Sequence, residues 1–172
     1  MNFGFEIKLY ESGPGESLYT FHHEDRDLSE LNRFLRDEEV RSNPDFNRLE
    51  QRLLDGVDKR HGFRRHWFRD ERSVQALFAP YPKEEEEALD TPYPPQLRLY
   101  CVRRRGIVLA GYGGVKTTRT FQEDERLEQA VNELEYVDDR LQKCLDLKAV
   151  RFKDRGRRLT GTLEFNQKDP RL

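Results

Sequence analysis

Hydrophobic residues near the start recur at every second position. Phe3, Phe5, Ile7 and Leu9 alternate with small or polar neighbours, the two-residue period of a strand with one covered face. Gly13-Pro14-Gly15 supplies turn residues ahead of Leu18-Tyr19-Thr20-Phe21, which predicts a β-hairpin. The period then changes. Leu28, Leu31, Phe34 and Leu35 fall at helical spacing around Asp27-Leu28-Ser29-Glu30, which has capping-box spacing, so a helix is expected to about Val40. A second is expected from Asn43-Pro44, where proline suits the first helical position, to about Asp58, with Phe46, Leu49, Leu53 and Val57 on one face.

Residues 59–72 follow no single period. Lys59, Arg60, Arg64, Arg65, Arg69 and Arg72 interleave with His61, Phe63, His66, Trp67 and Phe68, and the only acids are Asp70 and Glu71. Such a segment offers phosphate neutralisation together with base stacking; it equally fits aromatics in a core with arginines in water. Residues 79–95 read as an irregular linker, with an acidic run Glu84–Glu87 and five prolines, Pro80, Pro82, Pro92, Pro94 and Pro95. Alternation returns with Leu97, Leu99 and Cys101 against Arg98, Tyr100 and Val102. After Arg103-Arg104-Arg105-Gly106 comes Ile107-Val108-Leu109-Ala110, predicting a second hairpin with a basic turn. Its return strand runs out in Gly111-Tyr112-Gly113-Gly114-Val115-Lys116-Thr117-Thr118-Arg119-Thr120. Leu127, Ala130, Val131, Leu134, Val137, Leu141 and Cys144 then form one stripe of a long helix. Residues 159–165 look like a closing strand after a basic turn, Lys153–Arg158. No internal repeat is visible.

The length of 172 residues is one domain's worth of chain. Leu, Ile, Val and Phe make up 43 of the residues, enough for a core although 37% of side chains are charged, against roughly 25% in an ordinary domain. The opening residues lack a basic region before an apolar one, and no apolar run approaches a membrane span of about 18 residues, so a cytoplasmic protein without membrane contact is expected. Cys101 and Cys144 read as small core residues, and adjacent His22 and His23 point to opposite strand faces, so they do not chelate one metal.

A net charge of −2 conceals a partition. Between Thr91 and Gln122 stand five Arg (98, 103, 104, 105 and 119) and Lys116, with no Asp or Glu. A 32-residue window of this chain would hold about six acids at random, so the gap points to an anion-facing surface. Gly111, Gly113 and Gly114 permit close backbone approach or an unusual turn but match no nucleotide-binding glycine pattern.

The order of a strand with Leu97-Arg98-Leu99-Tyr100, a strand Ile107 to Tyr112, the Gly-Val-Lys-Thr-Thr-Arg-Thr element ending at Thr120, and a helix resembles the RelE/HigB-like toxins of bacterial toxin-antitoxin systems. The resemblance covers residues 96–145, and the paired helices fall where that fold has its helical hairpin. It implies a single α+β domain, an antiparallel sheet packed against the N-terminal helical pair and a C-terminal helix, with extra strands at both ends and the segment 59–95 inserted. It also implies an mRNA endoribonuclease, on or off the ribosome, held in check by a cognate antitoxin protein. Arg98 and Lys116 to Arg119 fall at the family's basic active-site positions.

Metal-independent RNA cleavage needs a base for the ribose 2′-OH, cations for the phosphorane and an acid for the leaving oxygen, and no cofactor. Arg98, facing outward with Tyr100 and Val102, would reach a phosphate from an exposed sheet face, and Lys116 and Arg119 would clamp it. Tyr112, His61 or His66 would move protons. Arg64, Arg65, His66, Arg103, Arg104 and Arg105 would bind RNA. Two other readings stand beside this one: a non-catalytic module of the same fold that binds RNA or an acidic protein, and a structural domain with a solvated basic face.

Overall fold

Why the chain folds as it does is best seen in its central hairpin. The strands over 97–104 and 107–115 are buried at almost every position rather than at every second one, Arg98 included, as strands covered on both faces are. The computed structural model describes residues 1–80 and 95–166. Its elements are β1 (Phe5–Glu11), β2 (Ser17–His23), α1 (Glu30–Arg36), α2 (Glu38–Ser42), α3 (Phe46–Asp58), β3 (Phe68–Glu71), β4 (Val74–Leu77), β5 (Leu97–Arg104), β6 (Ile107–Val115), α4 (Glu125–Asp146), β7 (Val150–Lys153), β8 (Arg158–Gly161) and β9 (Glu164–Phe165). Most of the expected linker, residues 81–94 with its acidic run, lies outside the described residues.

The fold is α+β. Seven strands form one sheet in the order β3-β4-β5-β6-β2-β1-β9, and β7-β8 form a separate hairpin. The sheet is mixed, where an antiparallel one was expected: β2 and β6 run parallel, pairing Ser17 with Ile107 through Thr20 with Ala110. The intervening helices and strands carry the chain back so that β6 enters beside β2 in the same direction, a connection that parallel pairing requires. Helix α4 covers one face, packing Leu127, Val131, Leu134 and Leu141 on Phe21, Tyr100 and Leu109. Helices α1 to α3 cover the other, with Phe34, Leu49 and Leu53 against Leu97, Leu99 and Val108. The exposed sheet face expected for Arg98, Tyr100 and Val102 is therefore absent; these residues are 7%, 0% and 7% exposed.

Local breaks also differ from the periodic reading. The first helix starts at Glu30 behind Ser29, whose side chain accepts from the Asn32 amide, and stops at Asp37. Asp37 in turn caps α2 through the Val40 amide, so one expected helix becomes two. Pro44 precedes α3 instead of opening it. The closing strand is split: Gly161, at φ 110°, ends β8, and Phe165 stacks on Phe5 at 4.6 Å as β9 joins the edge of β1.

One irregularity shapes the centre. Leu99 pairs with Gly113 but Cys101 pairs with Ala110, so β6 carries an extra residue. A side chain at Gly113 would place its Cβ 1.8 Å from the Arg98 carbonyl oxygen, which only glycine avoids. The bulge turns both Gly111 and Gly114 toward α4, against Leu134 and Leu127, and so accounts for the glycines without a phosphate.

Candidate functional site

The sheet end that holds Arg98 also gathers Lys116, Arg69 and Glu71. Gly114 pairs with Arg98 and Val115 with Leu97, and the Lys116 amide extends the ladder by donating to the Gln96 carbonyl at 2.8 Å. Lys116 thus emerges one residue beyond the pair of Leu97, on the same face as Arg98. Arg98 is buried, its Nη1 donating to the carbonyls of Pro95 at 2.6 Å and Leu97 at 3.0 Å, with the guanidinium 5.8 Å from the Phe78 ring. Burial holds the half-buried Lys116 ammonium below the usual lysine range; Arg98 and Arg69 push it the same way, against Glu71 and Glu123. The structure therefore brings Arg98 and Lys116 together, as the sequence suggested, with Arg98 as a buried support. Arg119 is exposed on the following loop.

Tyr100, not singled out as a site from the sequence, lies at the base of this corner. It is fully buried beneath Phe121, with ring centroids 6.2 Å apart. Its hydroxyl has no hydrogen-bond partner among the described residues. Burial, with Glu71 nearby, pushes the phenol well above the ordinary tyrosine range.

Tyr112 goes elsewhere. Its hydroxyl donates to Asp37 Oδ2 at 2.8 Å, and the Arg33 guanidinium lies 4.2 Å over its ring. Burial, reinforced by the Asp37 carboxylate, pushes it up to about 12. It sits in the α1–α2 break, with its proton committed to Asp37, and does not join the Arg98–Lys116 corner.

The basic segment divides as its plainer reading allowed. Phe63, Trp67 and Phe68 are buried against α3 and unavailable for base stacking, while Arg64, Arg65 and His66 are exposed. His61 is also exposed, 5.9 Å from the Trp67 ring. Arg103 donates to the Phe63 carbonyl at 2.9 Å and reaches Glu16 at 3.5 Å, while Arg104 Nε donates to Asp138 at 2.7 Å. The acid-free window is thus partly neutralised in space by carboxylates from distant parts of the chain. Arg105 stays exposed on the hairpin turn. Arg65, Arg72 and Arg103 line an open groove of about 360 Å³ with Ser73 and Gln75. His22 and His23 are engaged with the Arg26 carbonyl and the Asp25 amide.

A second charged group escaped the sequence reading. Arg26 bonds Glu133 of α4 through two nitrogens at 2.7 Å each and Glu30 of α1 at 2.6 Å, and Arg33 bonds Glu30 at 2.5 Å. Glu30 is 0% and Glu133 5% exposed. Burial acts to raise Glu133, but the Arg26 and Gln129 hydrogen bonds prevail and hold it below the usual carboxylate range. The signal was present: Glu133 borders the apolar stripe of α4, between Ala130 and Val137.

No protein family, curated protein or solved structure matches this chain. No helix among the described residues is long and apolar enough to cross a membrane.

Proposed function

We propose that the protein is a toxin-like endoribonuclease with a RelE-like arrangement, acting on mRNA at the corner of Arg98 and Lys116. The observation that carries this reading is geometric: half-buried Lys116 stands beside buried Arg98 at the end of an acid-free stretch of sequence, and burial, with Arg98 and Arg69, lowers its ammonium against Glu71 and Glu123, the direction a general base needs. Lys116, as the free amine, takes the proton of the ribose 2′-OH. The 2′-oxygen attacks phosphorus, the bond to the 5′-oxygen breaks, and that oxygen leaves with a proton from solvent, giving a 2′,3′-cyclic phosphate and a 5′-hydroxyl. Exposed Arg119 and Arg69 stabilise the phosphorane. Arg98 is a positioning residue, fixing the strand end through the Pro95 and Leu97 carbonyls and lowering the lysine by its charge. A neutralising antitoxin protein belongs to the same reading.

The test is induction in a bacterial host with RNA sequencing, comparing the parent with Lys116→Ala and Arg98→Lys. Growth arrest with cleaved transcripts is expected from the parent, with a loss of about a hundredfold or more in Lys116→Ala. Full activity in Lys116→Ala would overturn the assignment. The commitment of the Tyr112 proton to Asp37 favours a second reading, an RNA-binding module without catalysis. It gives salt-dependent RNA retention and no cleaved product.

A further inference from the structure

At the opposite end of the central hairpin, two basic turns are bound to one another. The β5–β6 turn and the tight turn Asp154–Gly156 share a hydrogen bond from the Gly106 amide to the Gly156 carbonyl at 3.0 Å. They approach so closely that a Cβ on Gly156 would meet the Arg105 side chain at 2.8 Å. The β7–β8 end is anchored further by Arg157 to the Gly13 carbonyl and by Arg158 to Ser12 Oγ at 3.0 Å. Arg105, Arg151, Lys153 and Arg155 are exposed around this junction, and the one acid in the tight turn is Asp154.

The backbone pays for this display. Arg105 at φ 50° and Arg155 at φ 56° occupy the left-handed region, which is costly for a side chain without a local hydrogen bond of its own. Like charges placed side by side add repulsion unless an anion lies across them. Among the described residues the ring against this junction is Phe152, which lies beneath Arg105 at 5.1 Å and is half-buried. A protein interface is built around an apolar core and a stacking platform needs open rings; these turns offer exposed charge without an open ring among the described residues, which suits phosphodiester oxygens.

We infer that the joined turns, with Arg105 and Arg155 at their centre, form a second and sequence-independent contact for the RNA backbone. This rests on the RNA reading above and extends it. The nine residues of β6 separate the contact from Lys116 by about 30 Å at some 3.3 Å per residue, so it acts on long RNA and leaves the choice of scissile bond to the far corner.

The test measures binding alone, by fluorescence anisotropy of labelled 20-nucleotide oligouridylate and oligoadenylate in 50 to 200 mM KCl. In Arg105→Ala/Arg155→Ala, both probes are expected to bind about tenfold more weakly, and the slope of log K against log salt to become shallower by about 1.4, at some 0.7 per lost contact. Arg105→Lys/Arg155→Lys is expected to bind like the parent. Arg105→Gly/Arg155→Gly, which relieves the left-handed backbone, is expected to melt no lower than the parent and still bind weakly. An unchanged slope in the alanine variant, equal loss in the lysine variant, or tighter parental binding to phosphatidylserine vesicles or polyglutamate than to RNA would overturn the inference. Cleavage enters none of these readouts, so a parent that binds RNA this way without cutting it would remove the endoribonuclease reading and leave the contact standing.

Discussion

Glu133 and Lys116 carry opposite lessons about charge in this protein. Glu133 is buried with a bidentate arginine partner, an arrangement that ties α1 to α4 where β2 and β6 stop pairing. Removing Glu133 leaves Arg26 partly exposed and still bonded to Glu30, so Glu133→Ala is expected to lower the unfolding free energy in urea by about 2 kcal/mol, less than for a buried pair broken without a second partner. Because the folded pKa of Glu133 lies below its ordinary 4.5, this stabilisation is present above pH 4.5 and is lost as pH falls through the folded value. Urea midpoints measured from pH 6 to pH 3 are expected to converge for the parent and Glu133→Ala. Lys116 is lowered by burial against the pull of Glu71, and the proposed function gives it a role in chemistry rather than stability. The sequence made Arg98 and Lys116 legible as a pair through the absence of acids around them. It hid the burial of Arg98, because alternation in a strand covered on both faces does not say which side meets water. It hid the Tyr112–Asp37 bond for another reason: the partners are 75 residues apart and meet only through the fold.

The elements were read mostly from period, and period has a limit. Both hairpins and the α4 stripe follow directly from it. The parallel pairing of β2 with β6 does not, since strand direction depends on the path of the chain between them, and the split at Asp37 depends on a single capping side chain. The bulge at Gly113 is the clearest case, because three glycines in four residues allow either a close backbone approach or an unusual turn, and they serve a register change. Gly113→Ala is expected to destabilise the protein by at least about 3 kcal/mol, as the new Cβ meets strand backbone that cannot yield. Gly114→Ala, whose Cβ would meet only Leu127 Cδ2 at 3.3 Å, is expected to cost well under half as much. Thermal unfolding of the two variants checks the contrast, and equal effects would mean that the bulge does not set the register.

Across the whole molecule, the near-cancellation of charge is arranged at two levels. Along the chain, acids cluster away from residues 91–122. In space, Asp138 and Glu16 return to Arg104 and Arg103, while the corner of Lys116 and the turns around Arg105 are, with exposed Arg64 and Arg65, among the places where cations stay exposed or are held against their preference. The proposed division of labour, cutting at one end of the central hairpin and holding RNA at the other, depends on the chemistry of the first end. The most direct measurement is the end-group of RNA incubated with the purified protein in EDTA, read by mass spectrometry and repeated with Lys116→Ala from pH 6 to 10. The account predicts 2′,3′-cyclic phosphate and 5′-hydroxyl ends from the parent, with a rate that rises toward a plateau below the ordinary lysine pKa, and no such ends from the variant. Intact RNA from the parent, or the same ends at the same rate from Lys116→Ala, would contradict it.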